Sequence, residues 1–244
     1  MLLANRVALI TGGSRGLGRA LSQVFSREGA TVAFLYESDE KAAQETLASL
    51  VGEHKRAYRC SVLDAEAIEA TTAAIEKELG PIDILVNNAG VAQIMPFAMI
   101  EEEDWDRLMD VNVKGAFLVS RAVTRRMIRR QYGRVLNMGS LAGTRVMEAP
   151  VHYCTSKAAL NGFTQGLAKE LARYHILVNC LAPGLLEEGV GTKISEPKLK
   201  DYIAHSGIRR LGTTAEVAEF AAFLCSEKNS YLSGSIVVAD GALG

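Results

Sequence analysis

The chain has 244 residues, with 27 Lys and Arg against 28 Asp and Glu and a formal net charge of -1, so it lacks the basic field that nucleic acid or an anionic membrane would require of a partner. Hydrophobic residues make up 48%, enough for a sizeable core, yet no apolar run approaches the roughly 20 residues of a membrane span. Cys60, Cys154, Cys180 and Cys225 form no CxxC pair, which argues against a disulfide framework or a metal site and for a reducing compartment.

The first predicted strand, Val7 to Thr11, begins almost at once and leaves no room for a signal peptide. A soluble, cytoplasmic protein is expected. Further predicted strands are Thr31 to Leu35, Arg56 to Cys60, Ile82 to Val86, Arg134 to Met138, Ile176 to Leu181 and Ile236 to Ala239. Between them lie apolar residues at helical spacing, such as Leu17-Leu21-Val24-Phe25 and Val217-Phe220-Ala221-Leu224. Strands that alternate with helices are joined by crossovers and run mostly parallel. The first, fourth and last are apolar nearly throughout, as strands covered on both faces are. The expected fold class is α/β: a single domain over residues 1–244, Rossmann-type and doubly wound, whose seven-stranded, mostly parallel sheet has helices on both faces.

Two predicted helices, Glu101 to Gln131 and Thr155 to Tyr174, carry more apolar and small residues than one sheet face requires, a surplus often used for assembly. Leu185 to Arg210 breaks the rhythm with three glycines and many charges. It reads either as a lid over a site or as a solvated connector.

Thr11-Gly12-Gly13-Ser14-Arg15-Gly16-Leu17-Gly18 lies between the first strand and a helix. Glycines there let backbone N–H groups approach a pyrophosphate, whose charge a helix N-terminus favours. Farther along, Tyr153 and Lys157 are four apart and share a helix face. An ammonium beside a phenol favours the phenolate, so Tyr153 can serve as acid for ketone reduction and base for alcohol oxidation. The bland alternative is a surface tyrosine near an exposed lysine.

The glycine spacing resembles the TGxxxGxG of the short-chain dehydrogenase/reductase family, and the resemblance continues down the chain. Asn87-Asn88-Ala89-Gly90 follows the fourth strand, Asn112 falls in the next long helix, and Ser140 follows the fifth strand. Tyr153-Cys154-Thr155-Ser156-Lys157 gives YxxxK, and Pro183-Gly184 follows the sixth strand. The resemblance implies a nicotinamide-dependent oxidoreductase. It casts Ser140 as a hydrogen bonder of the substrate oxygen and Lys157 as a holder of the nicotinamide ribose. Asn112 completes the set by maintaining a helix kink and a water that relays protons toward Lys157; satisfying buried backbone groups is its plainer role. Cys154 has no acid or histidine partner in the pattern and reads as a small core residue.

Cofactor contacts carry over by position. Gly12, Ser14, Arg15, Gly16, Leu17 and Gly18 are expected at the pyrophosphate, Tyr36 at the adenosine ribose, and Ser61 and Val62 around the adenine. Asn88, Ala89 and Gly90 are expected at a ribose beside Tyr153 and Lys157, with Pro183, Gly184 and Leu186 bordering the nicotinamide. Tyr36 stands where the family's NAD-type aspartate falls, and Arg15 stands where NADPH-dependent members often have a basic residue. NADPH is therefore expected over NADH, with Ser14 and Ser38 as extra donors. Glu37 opposes this if it points inward, and strand alternation turns Tyr36 and Glu37 to opposite sides.

Within the family the chain is most similar to β-ketoacyl-[acyl-carrier-protein] reductases. That resemblance implies a 3-oxoacyl thioester substrate, an acyl carrier protein as partner, and a homotetramer built on the two long helices and the last strand. Arg125, Arg126, Arg129, Arg130, Arg134 and Arg173 form a basic group that is either a landing patch for an acidic carrier or a set of solvated helix ends. Two departures stand out. Glu188 replaces the threonine of the family's PGxxxT, and the chain ends Val238-Ala239-Asp240-Gly241-Ala242-Leu243-Gly244 where relatives have a VDGG-like sequence. A small ketone or secondary alcohol is the alternative substrate, and a non-catalytic dinucleotide sensor the alternative from another class.

Overall fold

Short β-branched runs form the strands of the computed structural model, which describes residues 1–189 and 194–243. They are β1 Val7–Thr11, β2 Thr31–Tyr36, β3 Lys55–Arg59, β4 Ile82–Asn87, β5 Gly133–Met138, β6 Ile176–Pro183 and β7 Ile236–Ala239. One seven-stranded sheet results, in the order β3-β2-β1-β4-β5-β6-β7. Every adjacent pair is parallel, so each return crosses a face of the sheet. The helices that do this are α1 Gly16–Arg27, α2 Glu40–Ser49, α3 Ala65–Leu79, α4 Glu102–Met109, α5 Gly115–Arg130, α6 Val151–Leu171, α7 Glu196–His205 and α8 Thr214–Cys225.

Strand alternation divides the core between the two faces. Ala8 and Ile10 of β1 pack with Leu21 and Phe25 of α1 and Val217 and Ala221 of α8. Val7 and Leu9 pack with Ile68 and Ile75 of α3, Val119 and Met127 of α5, and Leu171 of α6. Helix starts are fixed locally, by the Asp39 and Asp64 side chains and by a capping box between Thr213 and Glu216.

The structure refines one long element. Glu101 to Gln131 is helical throughout Glu102–Arg130, as expected, but a π-helical turn, Asp110–Lys114, lies between α4 and α5. The strands also reach a residue or two farther than their apolar runs, because polar Asn87 and Pro183 still lie in the ladder. The expected lid segment contains α7 and a bridge from Leu186 to Gly212; its residues 190–193 lie outside the described residues. No helix among the described residues is long and apolar enough to cross a membrane. The strand order reverses between β1 and β4, and the crevice beyond their carboxyl ends is where open α/β sheets bind ligands.

Candidate active site

The turn after β1 is shaped for close backbone approach. Gly12 and Gly16 have φ of +64° and +51°, the left-handed region that favours glycine. A Cβ on Gly18 would fall 2.0 Å from the Gly12 carbonyl oxygen, so α1 starts directly against the turn. Arg15 occupies the cap position of α1 without a side-chain cap bond, which leaves first-turn N–H groups for an anion. Above Gly16 there is open space for one, since a Cβ there would meet nothing within 4 Å. These residues fit a dinucleotide pyrophosphate.

Thr11, the first residue of the glycine motif, ties this turn to the loop after β4. Its hydroxyl accepts from the backbone N–H groups of Asn88 (3.0 Å) and Ala89 (2.9 Å). The Asn88 amide in turn donates to the carbonyls of Thr11 (3.1 Å) and Gly12 (3.2 Å). Behind the turn, Thr46 of α2 donates to the Ser14 carbonyl at 2.7 Å, and Arg19 donates both to Thr46 (2.8 Å) and to that carbonyl (3.3 Å). Ser14 is thus buried and braced, while Arg15 is exposed.

Four residues come from the other half of the sheet. Ser140 leaves β5 in extended conformation and its hydroxyl accepts from Ala142 N at 3.2 Å. The next turn lies on α6: a Cβ on Gly143 would be 2.5 Å from the Lys157 carbonyl carbon. Lys157 is buried, donates to the Met138 carbonyl at 2.8 Å, and holds its ammonium 5.7 Å from the centre of the half-buried Tyr153 ring. Asn112, 1% exposed in the π-helical turn, bonds both backbone groups of Val91, at 2.8 and 3.0 Å. It also donates to Ser156 of α6 at 3.0 Å. A π-helical turn is a frequent companion of functional sites, and this one lets a side chain between the YxxxK pair meet Asn112. Cys154 touches the Ala149 carbonyl at 3.7 Å, and burial raises its thiol above the ordinary range, which leaves little thiolate for nucleophilic work.

At the end of β2, Tyr36 and Glu37 take different partners, consistent with strand alternation. Tyr36 is buried and donates its hydroxyl to Glu40, whose bonded carboxylate holds the phenol's pKa above the ordinary range, with burial adding to it. Glu37 faces the loop after β3: its carboxylate accepts from the Ser61 hydroxyl at 3.1 Å. Val62 packs against the start of α5, where a Cβ on Gly115 would be 2.7 Å from its Cγ2.

At the carboxyl end of β6, Pro183 closes the strand and Gly184 donates its N–H to the Ala239 carbonyl at 2.9 Å. Leu186 and Leu211 line a cavity between the lid segment and the start of α8. Tyr202 of α7 accepts from Leu185 N at 3.0 Å, and Arg145, in the loop before α6, bonds the Leu243 carbonyl and lies 3.4 Å from Asp240. The C-terminal run therefore joins the lid segment to the loop that follows Ser140.

The arginine group is mostly committed elsewhere. Arg126 pairs with Glu69 and Glu76, and Arg130 with Glu76, at 2.7 to 3.4 Å. Arg134 is buried with its guanidinium 4.9 Å above Tyr132 and 3.7 Å from Glu227. All three sit where α5 ends and β5 begins, at the amino-terminal ends of the strands, away from the crevice at their carboxyl ends. Arg129 and Arg173 are exposed.

Residues 12–243 match the family described as Enoyl-(Acyl carrier protein) reductase. The 3-oxoacyl-[acyl-carrier-protein] reductase FabG of Aquifex aeolicus is 37% identical over 99% of this chain and 98% of its own length. Nodulation protein G of Rhizobium sp. (strain N33) is 35% identical with the same coverage, 99% and 98%. Among solved structures, a short-chain dehydrogenase/reductase variant from Serratia marcescens shares 31% identity with a TM-score of 0.92, over 100% of this chain and 99% of that one.

Proposed function

Because the chain belongs to the short-chain dehydrogenase/reductase family of oxidoreductases, we propose that it reduces the ketone of a 3-oxoacyl thioester to the 3-hydroxyacyl thioester. The observation that carries the reading is the buried Lys157 ammonium, fixed by Met138 and set beside the Tyr153 ring next to the turn that bears Ser140. The thioester class is supported by the full-length likeness to a protein named for that reaction.

Hydride for the carbonyl carbon comes from a reduced nicotinamide dinucleotide, for which the glycine turn, Asn88 to Gly90 and Gly184 are the holding residues. Ser140 offers its hydroxyl to the substrate oxygen and orients it. Tyr153 gives its phenolic proton to that oxygen as negative charge develops there. Lys157 stabilises the phenolate left behind and keeps further N–H donors for the nicotinamide ribose. Asn112 fixes the loop after β4 to α6 and so sets the depth of the crevice. In the choice between dinucleotides, Arg15 supports NADPH, and Glu37 stands against it.

Delivery on an acyl carrier protein is supported by the relatives' names alone, since Arg129 and Arg173 precede β5 and β6, away from the crevice. A second reading, turnover of a free small ketone, is favoured by the ion pairs that commit Arg126 and Arg130. Following nicotinamide absorbance with acetoacetyl groups on carrier protein and on coenzyme A, beside small ketones, separates the two. Turnover of the thioesters is expected; activity confined to small ketones sinks the thioester reading.

A further inference from the structure

We propose that Arg145 is a positioning residue: it latches the C-terminal run, and through it helix α7, onto the loop that follows Ser140. The proposal rests on reading Ser140 and Tyr153 as the place of carbonyl chemistry. It concerns a residue outside every motif of the sequence and a C-terminal run that departs from the family pattern.

The backbone fixes Arg145 close to Ser140. Its N–H donates to the Leu141 carbonyl at 3.0 Å, and Gly143 donates to the Ser140 carbonyl at 3.0 Å. Asn161 of α6 donates to the Gly143 carbonyl at 2.9 Å, so the same turn is held against the helix that bears Tyr153. From this base the Arg145 guanidinium reaches the C-terminal run. There it donates to the Leu243 carbonyl and lies 3.4 Å from the Asp240 carboxylate. The Asp240 side chain is 9% exposed, and one of its oxygens accepts from Ala242 N at 3.0 Å. The other is buried without a hydrogen bond among the described residues. A carboxylate so enclosed needs a charge partner. Among the described residues, Arg145 is the cation paired with it.

On its other side the run is bound to the end of α7. Gly207 and Ile208 donate their N–H groups to the carbonyls of Ala242 and Gly241, both at 3.1 Å. The Ser206 hydroxyl also donates to the Gly241 carbonyl, at 3.2 Å. Helix α7 in turn lies against the chain leaving β6: Tyr202 accepts from Leu185 N at 3.0 Å, and a Cβ on Gly184 would fall 2.3 Å from the Tyr202 hydroxyl oxygen. A direct link between α7 and the loop after Ser140 is the Lys198–Glu148 pair at 2.5 Å, with side chains 60% and 79% exposed. Ion pairs in water contribute little, so Arg145 is the stronger tie. While it is engaged, α7 stays against the end of β6 and limits access to the crevice. Its release frees the run and α7 together, because they share backbone hydrogen bonds.

Amide hydrogen exchange of the full chain reads the latch without any substrate. In Arg145→Ala, amides of residues 199–208 should exchange roughly tenfold faster, while those of α1 and α3 keep their protection. Arg145→Lys, which retains the charge, should recover most of the loss. With whichever carbonyl compound the unaltered chain turns over, Arg145→Ala should raise KM by roughly fivefold or more and change kcat far less. Unchanged exchange at residues 199–208 overturns the proposal. So does faster exchange spread evenly over the chain, the mark of general destabilisation, and so does a loss confined to kcat, which would put Arg145 in the chemistry itself. If no carbonyl compound is turned over, the functional reading fails while the exchange measurement still decides the latch.

Discussion

Tyr153 and Lys157 lie one helical turn apart, but burial and anchoring are what separate this pair from a chance one. Lys157 is buried and bonded to a backbone carbonyl of β5, so its charge stays beside the phenol without wandering into solvent. Tyr153→Phe should lower kcat by about 10²- to 10⁴-fold, the usual worth of a positioned general acid. Dinucleotide Kd, measured by fluorescence, should change less than threefold; a comparable loss of binding would mean that the ring positions cofactor rather than moving a proton. The pair was legible from spacing, because i and i+4 on a helix meet whatever surrounds them. Glu37 was not, because an exposed side chain just past a strand takes its direction from a neighbour, here Ser61 in the loop after β3.

Between elements, small distances decide what can be changed. Gly18→Ala would set a methyl 2.0 Å from the Gly12 carbonyl oxygen. Since backbone must move to admit it, a stability loss of about 1–3 kcal/mol is expected, with dinucleotide affinity down at least tenfold by titration. An unchanged Kd would show that the turn is not the phosphate site. His152, the residue before Tyr153, is fully buried with neither ring nitrogen bonded within the protein. Burial holds its imidazole below the ordinary range, and the charge of Asp104 opposes that in part. The unfolded chain takes up a proton near its ordinary value of about 6.5 while the folded chain resists, so stability is full above that pH and falls as acid is added. Tm measured from about pH 5 to 7 should therefore fall toward acid, and His152→Leu should flatten the slope. Parallel slopes for the two proteins would exclude His152 as the cause. The π-helical turn between α4 and α5 does not show in the apolar spacing, since one inserted residue barely disturbs it; the kink expected at Asn112 lies there, with Asn112 bonded to Val91 and Ser156.

For the molecule as a whole, apolar side chains remain on surfaces that no element of the chain covers. Phe220 and Phe223 stack on α8 and are 37% and 40% exposed, and Val238 lies on the edge strand β7 at 36%. Phe117 of α5 and Val151 of α6 are also 44% exposed. Two such patches, on different sides, suit a homotetramer with two kinds of contact. Light scattering at micromolar concentration should give four copies, and Phe223→Glu should reduce that to two or one. A monomeric unaltered chain would exclude this assembly.

The sheet, the glycine turn and the Tyr153–Lys157 pair follow from quantities local in the chain. Apolar period, glycine conformation and helix phase each need only a few neighbouring residues to be expressed. Direction and commitment of charged side chains are different, because they depend on partners brought together by folding. Arg126 meets Glu69 across 57 positions of sequence, Asn112 meets Ser156 across 44, and Glu37 meets Ser61 across 24. Such contacts are settled by packing geometry, which no window along the chain contains, and it is there that the arginine group lost most of its free charge and the β2 end acquired its carboxylate.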